Sequence, residues 1–194
     1  IATGEHVLVT APTGSGKTLT AFLWALNQLL TGEWEGGRTR VLYVSPLRAL
    51  NTDVRRNLSR PLAALDRRFR DAGAAAPALR AMTRSGDTPQ AERRKMLRQP
   101  PEILITTPES LYLMLTSRAR EILASVESVI VDEIHSVAGT KRGSHLAITL
   151  ERLSELATEA RGVVVGLGQR EVLAQRAPAV GAQRPQDLDP EHGG

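Results

Sequence analysis

Short runs of branched apolar residues alternate along the chain with longer stretches whose apolar positions recur every three or four residues. His6 to Thr10, Arg40 to Ser45, Ala78 to Thr83, Glu102 to Thr106, Ser128 to Asp132 and Gly162 to Leu167 read as strands. Several are apolar on both faces, which is what a parallel sheet covered by helices requires. Gly16 to Leu30, Leu47 to Phe69, Thr88 to Leu97, Pro108 to Thr116 and Ser144 to Ala160 read as helices. In the last, Leu146, Leu150, Leu153, Leu156 and Ala157 fall on one face and Glu151, Glu155 and Glu159 on the other. This alternation predicts an α/β fold, a mostly parallel, doubly wound sheet with helices on both faces. Ala72 to Pro77 reads as a loop. From Ala177 the period gives way to Pro178, Gly181, Pro185, Pro190 and a Gly193-Gly194 end, a composition expected to be disordered.

The 194 residues, 41% hydrophobic and 24% charged, suffice for one domain with a core of its own. With no cysteine, disulfide scaffolds, thiolate zinc sites and cysteine nucleophiles are excluded, and a cytoplasmic setting is the default expectation. The longest apolar stretch, Leu19 to Leu30, is shorter than the roughly 20 residues of a bilayer span and contains Thr20, Asn27 and Gln28, so no membrane span is expected. No leader pattern opens the chain, and its start at Ile1 points to a partial reading frame. The net charge of +4 is unevenly placed: Arg48 to Arg98 holds thirteen basic and five acidic residues. That segment is either a solvated helix surface or a polyanion-binding face.

Directly after the first strand stands Ala11-Pro12-Thr13-Gly14-Ser15-Gly16-Lys17-Thr18, and a helix follows at once. Strand, glycine-rich loop and helix are the context in which a Walker A pattern is meaningful, with Ala11 at its first glycine position. Thr13, Gly14, Ser15, Gly16, Lys17 and Thr18 are the candidate nucleotide-binding residues. Backbone N–H groups of such a loop cradle a polyphosphate at the positive end of the helix dipole. Lys17 would reach the β and γ phosphates, and the Thr18 hydroxyl would ligate Mg²⁺.

Val129-Ile130-Val131-Asp132-Glu133-Ile134-His135 places two carboxylates at the C-terminal end of an apolar strand, the sheet edge where ligands bind in open α/β folds. Asp132 can hold Mg²⁺ through water and Glu133 can polarise an attacking water, so Lys17, Asp132 and Glu133 are the candidate catalytic residues. His135 is the candidate link from the nucleotide to another element. A small-molecule kinase would share the phosphate loop but would not need Glu133 and His135 here.

Together these residues resemble superfamily 2 helicases of the DExH type, and within them the Lhr-like (large helicase-related) DNA-dependent ATPases. The box reads Asp132-Glu133-Ile134-His135 and continues through Gly139-Thr140-Lys141-Arg142-Gly143 to Leu153. Ser45-Pro46-Leu47-Arg48-Ala49-Leu50-Asn51 matches motif Ia, Ser85-Gly86-Asp87-Thr88 the glycine-aspartate motif, and Thr106-Thr107-Pro108-Glu109-Ser110-Leu111 motif Ib. The resemblance implies a RecA-like P-loop NTPase lobe over residues 1–170, with residues 171–194 as a tail. It implies ATP and Mg²⁺ as cofactors and single-stranded nucleic acid, DNA favoured over RNA, as partner. Pro46, Arg48, Gly86, Asp87, Thr106, Thr107, Pro108 and Glu109 are the implied nucleic-acid residues, and phosphate contacts of this kind are sequence-independent. With six aromatic residues, base stacking is not expected to dominate. Trp24 and Tyr43 read as core packing, Trp34 as a loop residue, and His6 and His145 as structural.

The family pattern is departed from in three places. Upstream of Ile1 the resemblance implies an adenine-recognition segment that these 194 residues do not include. Where the family carries Ser-Ala-Thr after the sixth strand, this chain reads Gly168-Gln169-Arg170, without the hydroxyls that couple hydrolysis to strand movement. No second RecA-like lobe follows, and the aperiodic end points to a frameshift or a truncated reading frame. The expectation is a first motor lobe that binds Mg-nucleotide weakly, hydrolyses it slowly and does not unwind duplexes alone. The alternative is a module that binds nucleotide or nucleic acid without turnover.

Overall fold

A computed structural model describes residues 6–10, 16–46, 48–73, 77, 79–157 and 164–168. Six strands form one all-parallel sheet: β1 (Val7–Thr10), β2 (Val41–Val44), β3 (Ala81–Arg84), β4 (Ile103–Thr106), β5 (Ser128–Val131) and β6 (Val164–Gly168), in the order β1-β6-β5-β2-β4-β3. The helices are α1 (Lys17–Leu30), α2 (Arg48–Asp71), α3 (Gln90–Arg98), α4 (Pro108–Leu115), α5 (Arg120–Leu123), α6 (Ile134–Val137) and α7 (Lys141–Leu156). Among them, no helix is long and apolar enough to cross a membrane.

The winding follows from handedness. From β1 to β2 to β3 the chain crosses the sheet in one direction, and from β3 through β4 and β5 to β6 it returns. Right-handed crossovers therefore put α1 and α2 on one face and α3 to α7 on the other. The pleat sorts the core to match: Val41 and Tyr43 of β2 pack with Phe22, Ala25 and Leu26 of α1 and Val54 and Leu58 of α2. Leu42 and Val44 face Leu111 and Met114 of α4 and Leu146 and Leu153 of α7. β2 and β4 are buried at every position, as the two-sided apolar runs require.

Three expectations shift. β3 begins at Ala81 rather than Ala78, α7 begins at Lys141 under a Thr140 cap and ends at Leu156, and two single-turn helices, α5 and α6, appear where no helix was expected. Trp34 lies in a loop but joins the core, meeting Trp24 edge-on with ring centroids 5.1 Å apart. Gln169, Arg170, Glu159 and the tail 171–194 lie outside the described residues.

Candidate functional site

Because every strand is parallel, every loop carrying a candidate motif leaves the same edge of the sheet. Gly16, at φ 84°, turns the chain into α1 as its N-cap, a left-handed backbone that glycine adopts at little cost. Thr13, Gly14 and Ser15 lie outside the described residues. Lys17 opens α1, but its side chain, like that of Arg48 at the start of α2, also lies outside them.

Thr18 is half-buried on the α1 face that carries Phe22 one turn later, and Phe22 stacks on Tyr43 at 5.4 Å. The Tyr43 phenol donates to Asp132 Oδ2 and is also hydrogen-bonded by the Thr18 side chain. Burial, reinforced by the adjacent Asp132 carboxylate, pushes the phenol pKa far above its ordinary 10.0, so it stays a neutral donor. Core packing is thus only half of what Tyr43 does. Nothing in its sequence position marks the other half, because β2 and β5 pair only in the folded sheet, in register Val44 to Val131.

Asp132 lies one residue beyond β5, buried, with its N–H bonded to the Val44 carbonyl at 2.9 Å. Its Oδ1 accepts the Glu133 N–H at 2.8 Å. Glu133 is the sole non-glycine residue with positive φ among those described, at 49°. A non-glycine residue held there costs of order 1–3 kcal/mol and marks a site that the surroundings over-determine. Its carboxylate is 3.0 Å from His135 Nε2, on the single turn of α6. The Thr18 hydroxyl and the Asp132 carboxylate, tied together through the Tyr43 phenol, are oxygen donors, the hard chemistry that suits Mg²⁺.

The neighbouring turns are locked from behind. In the β3–α3 turn the Thr88 hydroxyl accepts the Ser85 N–H at 2.8 Å, while Arg93 donates to the carbonyls of Thr88 (2.7 Å), Gly86 (2.6 Å) and Ser85 (3.3 Å). Gly86 and Asp87 are left exposed at its tip. Arg84, at the end of β3, has its pKa lowered by burial and by the nearby Arg93 charge. Thr106 is buried and donates to the Arg84 carbonyl at 2.7 Å. Thr107 caps α4 by accepting the Ser110 N–H, with Pro108 in the first turn. Glu109 carries a charge that repels phosphate, and its carboxylate accepts from Arg142 Nε at 2.5 Å. That bond holds its pKa below the usual carboxylate range. Arg142 also donates to the carbonyl of Pro46, itself buried, at 2.8 Å. Arg93 is not singled out by the sequence, and Arg142 enters only within the Gly139–Gly143 stretch that carries the resemblance, without a role. The signal available was only a basic residue a short distance past a motif.

Comparison with known proteins places this arrangement. The chain is similar to the Lhr helicase/probable uracil glycosylase of Mycolicibacterium smegmatis, 58% identical over 157 residues, covering 80% of this chain and 10% of that protein. It is 57% identical over 162 residues to the Lhr helicase/uracil glycosylase of Escherichia coli, with the same coverage. The chain thus spans about a tenth of the length of these relatives. The structure of Mycobacterium smegmatis helicase Lhr bound to ssDNA and AMP-PNP superposes with a TM-score of 0.80 at 55% identity, over 86% of this chain and 21% of that one. The helicase MrfA bound to DNA and AMPPNP gives 0.73 at 25% identity, over 90% and 24%. Residues 1–167 match the DEAD/DEAH box helicase family, and the chain belongs to it.

Proposed function

We propose that this chain is the ATP-binding lobe of a nucleic-acid-dependent ATPase, a first motor lobe that grips one strand of DNA while it binds and hydrolyses ATP. The observation that carries the reading is the convergence, on one sheet edge, of the α1 N-terminus, the Thr18–Tyr43–Asp132 cluster and the strained Glu133.

The placement of these groups supports the following division of labour. The N–H groups of the α1 N-terminus bind the polyphosphate, and Lys17 neutralises the β and γ phosphates. Thr18 and Asp132 would hold Mg²⁺, Asp132 in part through water, and the ion when bound offsets charge on the phosphates. Tyr43 fixes the Asp132 carboxylate from the rear. Glu133 orients the attacking water and accepts its proton as the γ P–O bond breaks, and His135 steadies the Glu133 carboxylate. The exposed turn after β3 offers Gly86 and Asp87 to the strand backbone, and Arg48, at the start of α2, and the α4 N-terminus are the further phosphate contacts on the same edge.

DNA is the favoured strand, because the two similar helicases described above, at 55% and 25% identity, are bound to DNA in their structures. A second lobe facing this edge is the partner that completes the machine. A cysteine-free chain suits the cytoplasm. Phosphate release by the parent, Lys17→Ala and Glu133→Gln, with and without single-stranded DNA, tests the reading. DNA-stimulated release lost in both variants is the expected result. Binding without turnover in the parent would instead make the chain a non-enzymatic module.

A further inference from the structure

One guanidinium joins the turns after β2 and β4. Arg142, in the first turn of α7, donates through Nε to Glu109 of α4 at 2.5 Å and through Nη2 to the Pro46 carbonyl, after β2, at 2.8 Å. Behind it, α7 is fastened to the acidic turn. Thr140 caps α7 by accepting the Gly143 N–H at 3.1 Å and donates to the Val137 carbonyl at 2.7 Å. Gly143 lies so close that a Cβ there would stand 2.2 Å from the same carbonyl. Val137 ends α6, whose N-cap is Glu133. An unbroken run of contacts thus leads from Glu133 through α6 and the α7 N-terminus to motifs Ia and Ib.

Resting on the function proposed above, we propose that Arg142 is a positioning residue that couples the two ligand sites: it fixes the turns after β2 and β4 relative to the acidic turn, so that Mg-nucleotide and single-stranded DNA bind cooperatively. Two features select arginine. Its planar fork serves a carboxylate and a carbonyl together, which a lysine ammonium does less well. It also neutralises Glu109, whose charge would otherwise oppose phosphate beside the α4 N-terminus.

The test is fluorescence anisotropy of a labelled DNA oligonucleotide on the full 194-residue chain, with and without Mg·AMP-PNP, in the parent, Arg142→Ala, Arg142→Lys and Glu109→Gln. Coupling is reciprocal and usually amounts to about 5- to 150-fold. The parent is expected to bind DNA about fivefold tighter or more with nucleotide present. Arg142→Ala should bring that ratio to about 1 while Mg·AMP-PNP alone binds within about twofold of the parent, with Arg142→Lys and Glu109→Gln intermediate. A ratio unchanged in Arg142→Ala, or a parent that binds the two ligands independently, overturns the proposal. Should Arg142→Ala fail to fold, the two milder variants decide it by the same ratio. A parent that binds neither ligand singly overturns instead the function on which the proposal rests.

Discussion

Each edge of the sheet holds a buried carboxylate, and the two are partnered in opposite ways. At the edge where strands begin, Glu102 accepts the Gly37 N–H and the Arg80 N–H, each at 2.8 Å, with the Arg80 guanidinium at 3.5 Å. Beside it the buried Arg40 donates to Glu127 at 3.0 Å and to the Glu35 carbonyl at 3.1 Å. Fixed amides and full charges meet, and the entries to β2, β3, β4 and β5 are sewn together. At the edge where strands end, the donors described around Asp132 are a phenol and the next residue's amide, both neutral. Among the described residues, the negative charge there is oriented by neutral donors. The first arrangement suits a lock; the second leaves a field into which a cation can be received.

That contrast is broken most sharply by exchanging the treatment of the two carboxylates. Glu102→Ala orphans two N–H groups, and at 1–3 kcal/mol for each buried orphan the expected loss is about 3 kcal/mol. For a chain of this size that lowers the melting temperature by about 10 °C, while the folded fraction binds Mg-nucleotide as the parent does. Asp132→Asn should do the reverse: melting within about 1 kcal/mol of the parent, but Mg-nucleotide affinity, measured by titration calorimetry, down about 10- to 100-fold. If Glu102→Ala weakened nucleotide binding in the folded fraction as well, the two edges would not be separable.

The same contrast explains what could be read from sequence. Strands announced themselves because a two-sided buried strand such as Val41–Val44 needs an uninterrupted apolar run. Ala78 to Thr83 offered no such run, so β3 shifted to Ala81–Arg84. The single turns α5 and α6 are too short to show a period, and the Lys141-Arg142-Gly143 turn of α7 carries no apolar residue to signal helix. Lys17, Asp132 and Glu133 could be put forward from sequence because the chemistry proposed for each sits next to its own strand or loop. The roles of Tyr43, Arg93 and Arg142 could not. Each owes its role to a partner outside its own motif, and for Tyr43 and Arg142 that partner is 89 and 33 residues away.

Two glycines at the C-terminal edge sharpen the picture by failing differently. At Gly143 an added Cβ meets the Val137 carbonyl, a backbone atom that cannot yield without moving α6, so Gly143→Ala should cost about 2 kcal/mol. At Gly139, φ 73°, nothing lies within 4 Å, so Gly139→Ala pays only for the left-handed backbone, about 1 kcal/mol. Chemical denaturation separates them; equal losses would mean that the α6–α7 approach is not tight.

The smallest effect is the most specific to the acidic edge. Tyr43→Phe removes the hydroxyl between Thr18 and Asp132 and keeps the ring that stacks on Phe22. At neutral pH the cost is about 1 kcal/mol, one hydrogen bond to a charged acceptor offset in part by relief of hydroxyl burial. At high pH the sign reverses. Because the folded phenol holds its proton well above 10.0, the unfolded chain is the first to lose it as pH rises. The folded state then binds more protons than the unfolded one, and stability falls with pH by up to about 1.4 kcal/mol per unit. That contribution is fully present below the ordinary phenol value and drains away above it. Tyr43→Phe cannot lose it, so its urea midpoint, lower than the parent's at pH 7, should draw level with or pass it above pH 10. Parallel curves for the two proteins from pH 8 to 11 would mean that the phenol is not held neutral against Asp132, and that the acidic edge is neutralised after all.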